Sequence, residues 1–371
     1  MTAFMARERD LVRKHFPDLL DYLDSTPLMD MEGPDSKVID QFRSAGGTKL
    51  TIPAEAGGLG ASALDVVRIQ RVFGSRSPSL GAGTTMHHLS LATLHEFSQS
   101  GSDDDRALVK SLVDQNAIVA SGFSEGVTGG SVFVPTMKAV RTGDVYVING
   151  SKKPCSLSRS MDLLTASVEV DTGERAIALI PAALPGISVR EFWTSPILAG
   201  AESEEVVLEN VEVPADLVLL NGEDDPDGET EMTGYLWFGM LVAASYLGAA
   251  SNLLERVLAA GKNDYEGYVR AAADVEAGMG AIEAIARAVD DGERGEDISV
   301  RLLLARISIR EALVRATASA VETLGGINFI RNPEIGYLAS AIHAFAFHPP
   351  SRRTISETLQ KYHQGEPFAF L

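Results

Sequence analysis

A single cysteine, Cys155, stands in the 371 residues. One thiol cannot close an internal disulfide, and there is no cysteine cluster for a metal, so no metal site is expected. Aromatic residues are sparse, at 6%. Basic residues are in deficit: 32 Lys and Arg stand against 51 Asp and Glu, a formal net charge of −19. Phosphate backbones and anionic bilayers select basic surfaces, so neither nucleic acid nor membrane is an expected partner. No apolar run approaches the roughly 20 residues a bilayer span needs. The opening MTAFMARERDLVRKHF carries no apolar signal core. These absences together predict a soluble, reducing, cytoplasmic setting.

What is present is a 45% hydrophobic share, ample for a core, and 34 glycines. The patterning divides the chain into three parts. Residues 1–115 read as an N-terminal helical domain. Leu11, Val12, Phe16, Leu19, Leu20 and Leu23 fall at helical spacing over 9–23. Ser62 is placed to cap a helix running to Phe73, with Asp65 in its first turn. Residues 116–222 form a middle β domain. Short β-rich runs (133–140, 145–148, 163–170, 177–180, 206–208 and 211–213) alternate with turn signals such as Asn149-Gly150. They predict a small antiparallel sandwich or barrel. Residues 223–371 form a C-terminal helical bundle, and the acidic stretch Gly222 to Glu231 at its start reads as an exposed linker. The fold class is α+β in the order helical, β, helical. That order is not the βα alternation of a doubly wound nucleotide fold.

Four segments resemble the acyl-CoA dehydrogenase superfamily of flavoproteins, and the resemblance spans nearly the whole chain. Pro53-Ala-Glu-Ala-Gly-Gly-Leu-Gly60 is similar to its Pro-Glu-x-x-Gly-Gly-x-Gly loop. Phe123-Ser124-Glu125 followed by Gly129-Gly130-Ser131 is similar to Thr-Glu-Pro-x-x-Gly-Ser. Tyr146-Val-Ile-Asn-Gly150-Ser-Lys152 matches the hairpin Tyr-x-Ile-Asn-Gly-x-Lys. Glu322-Thr-Leu-Gly325-Gly326-Ile-Asn328-Phe lies near Gln-x-x-Gly-Gly-x-Gly-Tyr. The resemblance implies an FAD-dependent oxidoreductase, with FMN or free reduced flavin as variants, and a homodimer or homotetramer in which subunits share the flavin site. It implies flavin contacts for Phe123, Ser124, Cys155, Ser156, Gly325 and Gly326, and a substrate contact for Ser131. His88 and Trp237 join the substrate candidates, although a core role stands beside a pocket role for each.

The departures bear on the reaction. Family dehydrogenases abstract an α-proton with a Glu. The C-terminal stretch that supplies it reads Phe345-Ala-Phe-His348-Pro-Pro-Ser351 here, and the alternative position reads Phe238. The Arg for a CoA phosphate is Gly239, and the pyrophosphate-holding segment is replaced by Lys262-Asn-Asp-Tyr-Glu-Gly-Tyr268. One reading keeps α,β-dehydrogenation of an acyl thioester, bound to CoA or to an acyl carrier protein, with His348 as the base and a redox partner as electron acceptor. A second is a reduced-flavin-dependent monooxygenase, which needs no such base but needs a dry pocket and a polar group beside the flavin, with His348, His88 and Ser156 available. A third is a catalytically degenerate structural partner.

Overall fold

The computed structural model describes residues 3–127, 134–220, 229–261 and 264–368. Among the described residues seven α-helices come first: α1 Ala6–His15, α2 Pro17–Ser25, α3 Leu28–Glu32, α4 Val38–Ser44, α5 Ala63–Arg76, α6 Pro78–Ser100 and α7 Asp103–Asp114. The helix predicted over 9–23 is two helices. Pro17 brings no N–H and would clash with the preceding turn, so it ends α1 and occupies the first turn of α2. Ser62 caps α5, its Oγ accepting from the Asp65 N–H at 3.1 Å.

Among the described residues eight strands follow: β1 Val119–Gly122, β2 Lys138–Thr142, β3 Val145–Cys155, β4 Leu163–Val170, β5 Arg175–Pro181, β6 Ile187–Arg190, β7 Glu204–Pro214 and β8 Val218–Leu220. They share one sheet: seven lie in the order β6-β7-β3-β2-β4-β5-β8, and β1 pairs with β4 off that path. Most neighbours are antiparallel, but β1 and β2 both pair with β4 in parallel, at its beginning and its end. The runs over 206–208 and 211–213 are one strand. It passes Asn210 in a left-handed conformation (φ 53°), and the Asn149 side chain accepts from the Asn210 N–H at 2.8 Å. Of the run over 133–140, the described strand begins at Lys138, and Phe133 lies outside the described residues.

The remaining helices are α8 Glu229–Ala259, α9 Tyr265–Asp290, α10 Glu296–Leu324, α11 Gly326–Arg331, α12 Pro333–His343 and α13 Arg352–His363. Of the stretch Gly222 to Glu231, residues 222–228 lie outside the described residues. Its last three residues are not linker but the first turn of α8. The apolar window of α8 is long enough to cross a bilayer, yet 94% of it is buried inside the protein.

α8 is the central post. It crosses α5 closely enough that a Cβ at Gly74 or Gly248 would lie 2.0 or 2.1 Å from a backbone oxygen of the other helix, so only glycine fits at either position. Gln70 on α5 donates to Ser245 on α8 at 3.0 Å and to the Gly81 carbonyl on α6 at 2.6 Å. At the other end of α6, Thr233 donates to Glu96 at 3.2 Å, so α6 and α8 run antiparallel. Buried Glu32 ties the remaining parts together. It accepts from Ser77 Oγ and Ser79 Oγ at the start of α6 (2.5 and 2.6 Å) and from Tyr337 Oη on α12. Tyr337 Oη in turn accepts from the Leu198 N–H in the β6–β7 connection at 3.0 Å.

Candidate functional site

Between α6, α8 and the sheet lies a cavity of about 340 Å³, within the range of small-molecule sites. Its lining follows from helical spacing. On α6, Ala82, Met86, Leu89, Ser90, Thr93 and Phe97 recur at three and four residues and face inward. On α8, Glu231, Gly234, Tyr235, Phe238 and Tyr246 do the same. At 1.5 Å per residue, the α8 face runs about 20 Å from Glu231 to Tyr246, so the cavity is elongated along the two helices. Phe123, Ser124, Pro154, Ser156 and Thr165 close the sheet side, Trp193 and Leu198 come from the β6–β7 connection, and Phe347 to Pro350 close the remaining wall.

Four of the residues expected from sequence meet here: Phe123, Ser124, Ser156 and His348. Ser156 Oγ shares a 2.9 Å hydrogen bond with Ser203 Oγ, also on the wall. The turn carrying Phe123 and Ser124 is held from behind. Lys152, fully buried, donates to Glu125 Oε1 at 2.7 Å and to Ser167 Oγ at 3.1 Å. Glu125 also accepts from the Thr136 and Met137 N–H groups at 3.0 and 3.1 Å. Burial opposes its charge, but the bonds from Lys152 and Thr136 prevail and hold its pKa down at about 2.

The other candidates lie elsewhere. Cys155 alternates away from Pro154 and Ser156 along β3. Its thiol is fully buried and points to the Ser121 carbonyl at 3.8 Å, and burial pushes its pKa up to about 12. It does not face the cavity. His88 occupies the side of α6 opposite the lining, edge-on to Phe42 with ring centroids 5.6 Å apart, and neither ring nitrogen has a partner among the described residues. Its neighbour His87 is a structural staple: Nε2–H donates to the Thr48 carbonyl at 2.9 Å, and Nδ1 accepts from the Val119 N–H at 3.0 Å. Trp237 is one residue off the lining face of α8 and packs in the core. Gly325 caps α10 with φ 81° and begins, with Gly326, an exposed corner away from the cavity. Ser131 lies outside the described residues, as do Lys262 and Asn263 of the stretch matched to the pyrophosphate segment.

His348 stands at the end of the cavity beside Tyr246. The two side chains meet through Nε2 and Oη at 2.8 Å. Burial, then the nearby Arg306 cation, push the imidazole pKa down to about 3, so it is neutral at physiological pH. Burial also raises the Tyr246 phenol, with Glu32 adding to the effect. Arg306 is a residue that sequence reasoning missed. It is buried on α10 and donates to the carbonyls of His348 (3.2 Å) and Pro349 (3.0 Å) and to Tyr235 Oη (3.1 Å). Its guanidinium also lies 5.2 Å from the ring centroid of Phe238. The helical spacing of Met86, Ser90 and Thr93, and of Tyr235, Phe238 and Tyr246, was the available signal for the lining.

The ionisable groups among the described lining residues are Glu231, Tyr235, Tyr246 and His348. The only carboxylate of the four, Glu231, is paired with Arg175 at 3.2 Å and sits at the end of the lining face far from Tyr246. Lys153 is paired with Glu205 at 2.7 Å, and Arg352 with Glu311 at 2.9 Å. The largely apolar wall, interrupted by the Ser124 and Ser156 hydroxyls, fits a flat aromatic ring carrying hydrogen-bonding heteroatoms, as in a flavin.

No family model matches the chain. Isobutylamine N-hydroxylase of Streptomyces viridifaciens is 41% identical over 97% of each chain. The putative acyl-CoA dehydrogenase YdbM of Bacillus subtilis (strain 168) is 25% identical over 84% of this chain and 85% of its own. Among solved structures, FMN-bound TdsC, a dibenzothiophene monooxygenase from Paenibacillus sp. A11-2, superposes with a TM-score of 0.84 at 20% identity, covering 98% of each chain. Motifs, three-part architecture and full-length similarity converge: the chain belongs to the acyl-CoA dehydrogenase superfamily of flavin-dependent oxidoreductases.

Proposed function

We propose that this protein is a flavin-dependent monooxygenase that N-hydroxylates a small, largely apolar primary amine. The observation that carries this reading is the wall around His348. Phe238, Tyr246 and His348 stand where an α-proton-abstracting enzyme would need a carboxylate, and the one carboxylate among the described lining residues is at the far end, engaged by Arg175. The full-length likeness to an enzyme named for N-hydroxylation supports it.

Bound reduced flavin supplies two electrons, with which dioxygen yields one oxygen atom to the amine nitrogen and one to water. The chain's own contribution is fourfold. Phe123 would pack against the ring, and the Ser124 and Ser156 hydroxyls would hydrogen-bond its heteroatoms. The Lys152–Glu125 pair keeps that turn in place. Apolar side chains of α6 and α8 keep water out and desolvate an incoming ammonium, which favours the neutral, nucleophilic amine. His348 places one ring nitrogen at the cavity end.

FAD and FMN are both compatible with this wall. Ile327, Phe329 and Ile330 on α11 are exposed beside Gly325 and Gly326, which supports a homodimer or homotetramer closing over that corner. We read the protein as a cytoplasmic enzyme. Dehydrogenation of an acyl thioester, on CoA or a carrier protein, is the second reading, favoured by the likeness to YdbM. Anaerobic mixing separates the two. The expected result is that acyl thioesters leave oxidised flavin unreduced, whereas isobutylamine, reduced flavin and oxygen give a hydroxylamine. Bleaching of the flavin by a thioester without oxygen would overturn the hydroxylase reading.

A further inference from the structure

The partner of the buried hydroxyl of Tyr246 decides what His348 can do. We propose that Tyr246 fixes the tautomer of His348: the phenol donates to Nε2, the imidazole proton resides on Nδ1, and the histidine faces the cavity as a hydrogen-bond donor rather than as a base.

Two arrangements are compatible with the 2.8 Å contact between Oη and Nε2. In one, O–H donates to an unprotonated Nε2. In the other, Nε2–H donates to Oη, and the phenol proton must find another acceptor. Tyr246 is 2% exposed, and Nε2 is the one acceptor the described residues bring to its hydroxyl. The second arrangement therefore leaves a strong donor without a partner in an apolar wall, which is the costlier choice. Intrinsic strengths agree. A phenol is a better donor than a neutral imidazole N–H, and an unprotonated imidazole nitrogen is a better acceptor than a phenolic oxygen conjugated with its ring. The stronger donor meets the stronger acceptor only in the first arrangement.

The surroundings keep the imidazole neutral, so the choice is between tautomers and not between charge states. The Arg306 guanidinium holds the His348 carbonyl at 3.2 Å and its positive field opposes a second cation there. Nδ1 has no partner among the described residues, yet it is not among the buried, unpartnered atoms, so it is accessible on a residue that lines the cavity. With the proton on Nδ1, that nitrogen donates to an oxygen or anionic acceptor and cannot remove a proton from a substrate carbon. Tyr246 is thus a positioning residue that acts through His348. The contrast with His87 is instructive: there the Thr48 carbonyl takes the Nε2 proton, and the opposite tautomer follows from the opposite partner. The use made of the Nδ1–H rests on the hydroxylase reading. Its position does not.

The test is tautomer assignment by long-range proton–nitrogen NMR on the full chain labelled with 15N-histidine, at neutral pH, with His348→Gln identifying the signal. In the wild type, His348 is expected to show a protonated Nδ1 and an unprotonated Nε2, and its ring protons should show contacts to a slowly exchanging Tyr246 hydroxyl proton. In Tyr246→Phe the tautomer ratio should move about five- to tenfold toward Nε2–H, with the signals of the other histidines unchanged. A wild-type His348 carrying its proton on Nε2 overturns the proposal. So does a Tyr246→Phe variant that keeps Nδ1–H. If that variant does not fold, the wild-type tautomer and the hydroxyl proton decide alone, and failure to detect that proton contact overturns the role of Tyr246. An Nδ1–H tautomer in a chain that hydroxylates no amine would remove the hydroxylase reading and leave this inference standing. An Nε2–H tautomer in an active hydroxylase would do the reverse.

Discussion

Arg306 holds the backbone of His348 from behind, its guanidinium donating to the His348 carbonyl at 3.2 Å while its face lies against Phe238. No carboxylate pairs with it among the described residues. Its fork instead spans two carbonyls and the Tyr235 hydroxyl. A single ammonium cannot serve those three oxygens in fixed geometry. Arg306→Lys should therefore cost about 2 kcal/mol of stability, the scale of hydrogen bonds to a charged group, and lower turnover about tenfold because the turn at 348–350 is no longer fixed. Flavin affinity should stay within about threefold. Denaturant unfolding, steady-state kinetics and flavin titration read the three values, and unchanged turnover would show that the turn holds without the guanidinium.

Lys152 is fully buried and meets Glu125 at 2.7 Å beneath the turn that carries Phe123 and Ser124. Breaking a buried pair by removing one partner leaves an uncompensated charge, so Lys152→Met should destabilise by about 3 kcal/mol and weaken flavin binding. The pH sign follows from the depressed Glu125 pKa. The pair's contribution is present above the unfolded carboxylate value near 4.5 and is lost as pH falls toward about 2. The variant should show a shallower fall in stability than the wild type below about pH 4.5. Parallel acid limbs for the two proteins would remove the pair from that role.

The motifs led to the sheet side of the cavity because they are short, ordered segments of local sequence: Phe123, Ser124 and Ser156 all line it. His348 was legible from its place in the C-terminal stretch. Cys155 was misplaced by one step of strand alternation, and Trp237 by one step on a helix. At that resolution a motif says which turn is near, not which side chain faces in. His88 failed for the same reason, since the lining face of α6 is set by Met86, Ser90 and Thr93. Tyr246 and Arg306 could not be singled out. Each sits in a run of apolar helical residues, and its significance comes from contacts 102 and 42 residues away in sequence. The division of the α1–α2 stretch was readable in Pro17, whereas the parallel pairing of β1 and β2 with β4 depends on long-range packing.

His88 is fully buried with no hydrogen-bond partner for either ring nitrogen among the described residues. Two unsatisfied polar atoms in an apolar site cost stability, so His88→Leu should raise unfolding free energy by about 1–2 kcal/mol at pH 7. Burial, then His87, hold the His88 pKa well below 6.5. The folded state therefore refuses a proton that the unfolded state binds, and stability falls as pH drops below about 6.5. The variant should lose one such proton, flattening the slope below pH 6.5 by up to about 1.4 kcal/mol per pH unit. Turnover should remain near wild type. A large loss of turnover would return His88 to the substrate site from which its place on α6 removes it.

Gly234 marks the far end of the cavity, where α8 faces Thr93 of α6. A Cβ there would lie 3.3 Å from Thr93 Oγ1, close but able to settle by a small rotation of the threonine. His348 lies between the rings of Phe238 and Tyr246, with centroids 6.0 and 5.3 Å away. Helical rise then places Gly234 about 12 Å farther along the cavity. An amine nitrogen held at the His348 end would send a long alkyl chain toward Gly234 and a short one would stop before it. Gly234→Leu should therefore raise KM for octylamine about tenfold, consistent with about 1–2 kcal/mol of lost apolar contact and crowding. KM for propylamine should stay within about twofold. Gly234→Ala serves as the control, because it improves helix propensity by up to about 1 kcal/mol while adding one methyl group. Equal effects on both amines would mean that the cavity is entered from the other direction or that its far end is not occupied by substrate.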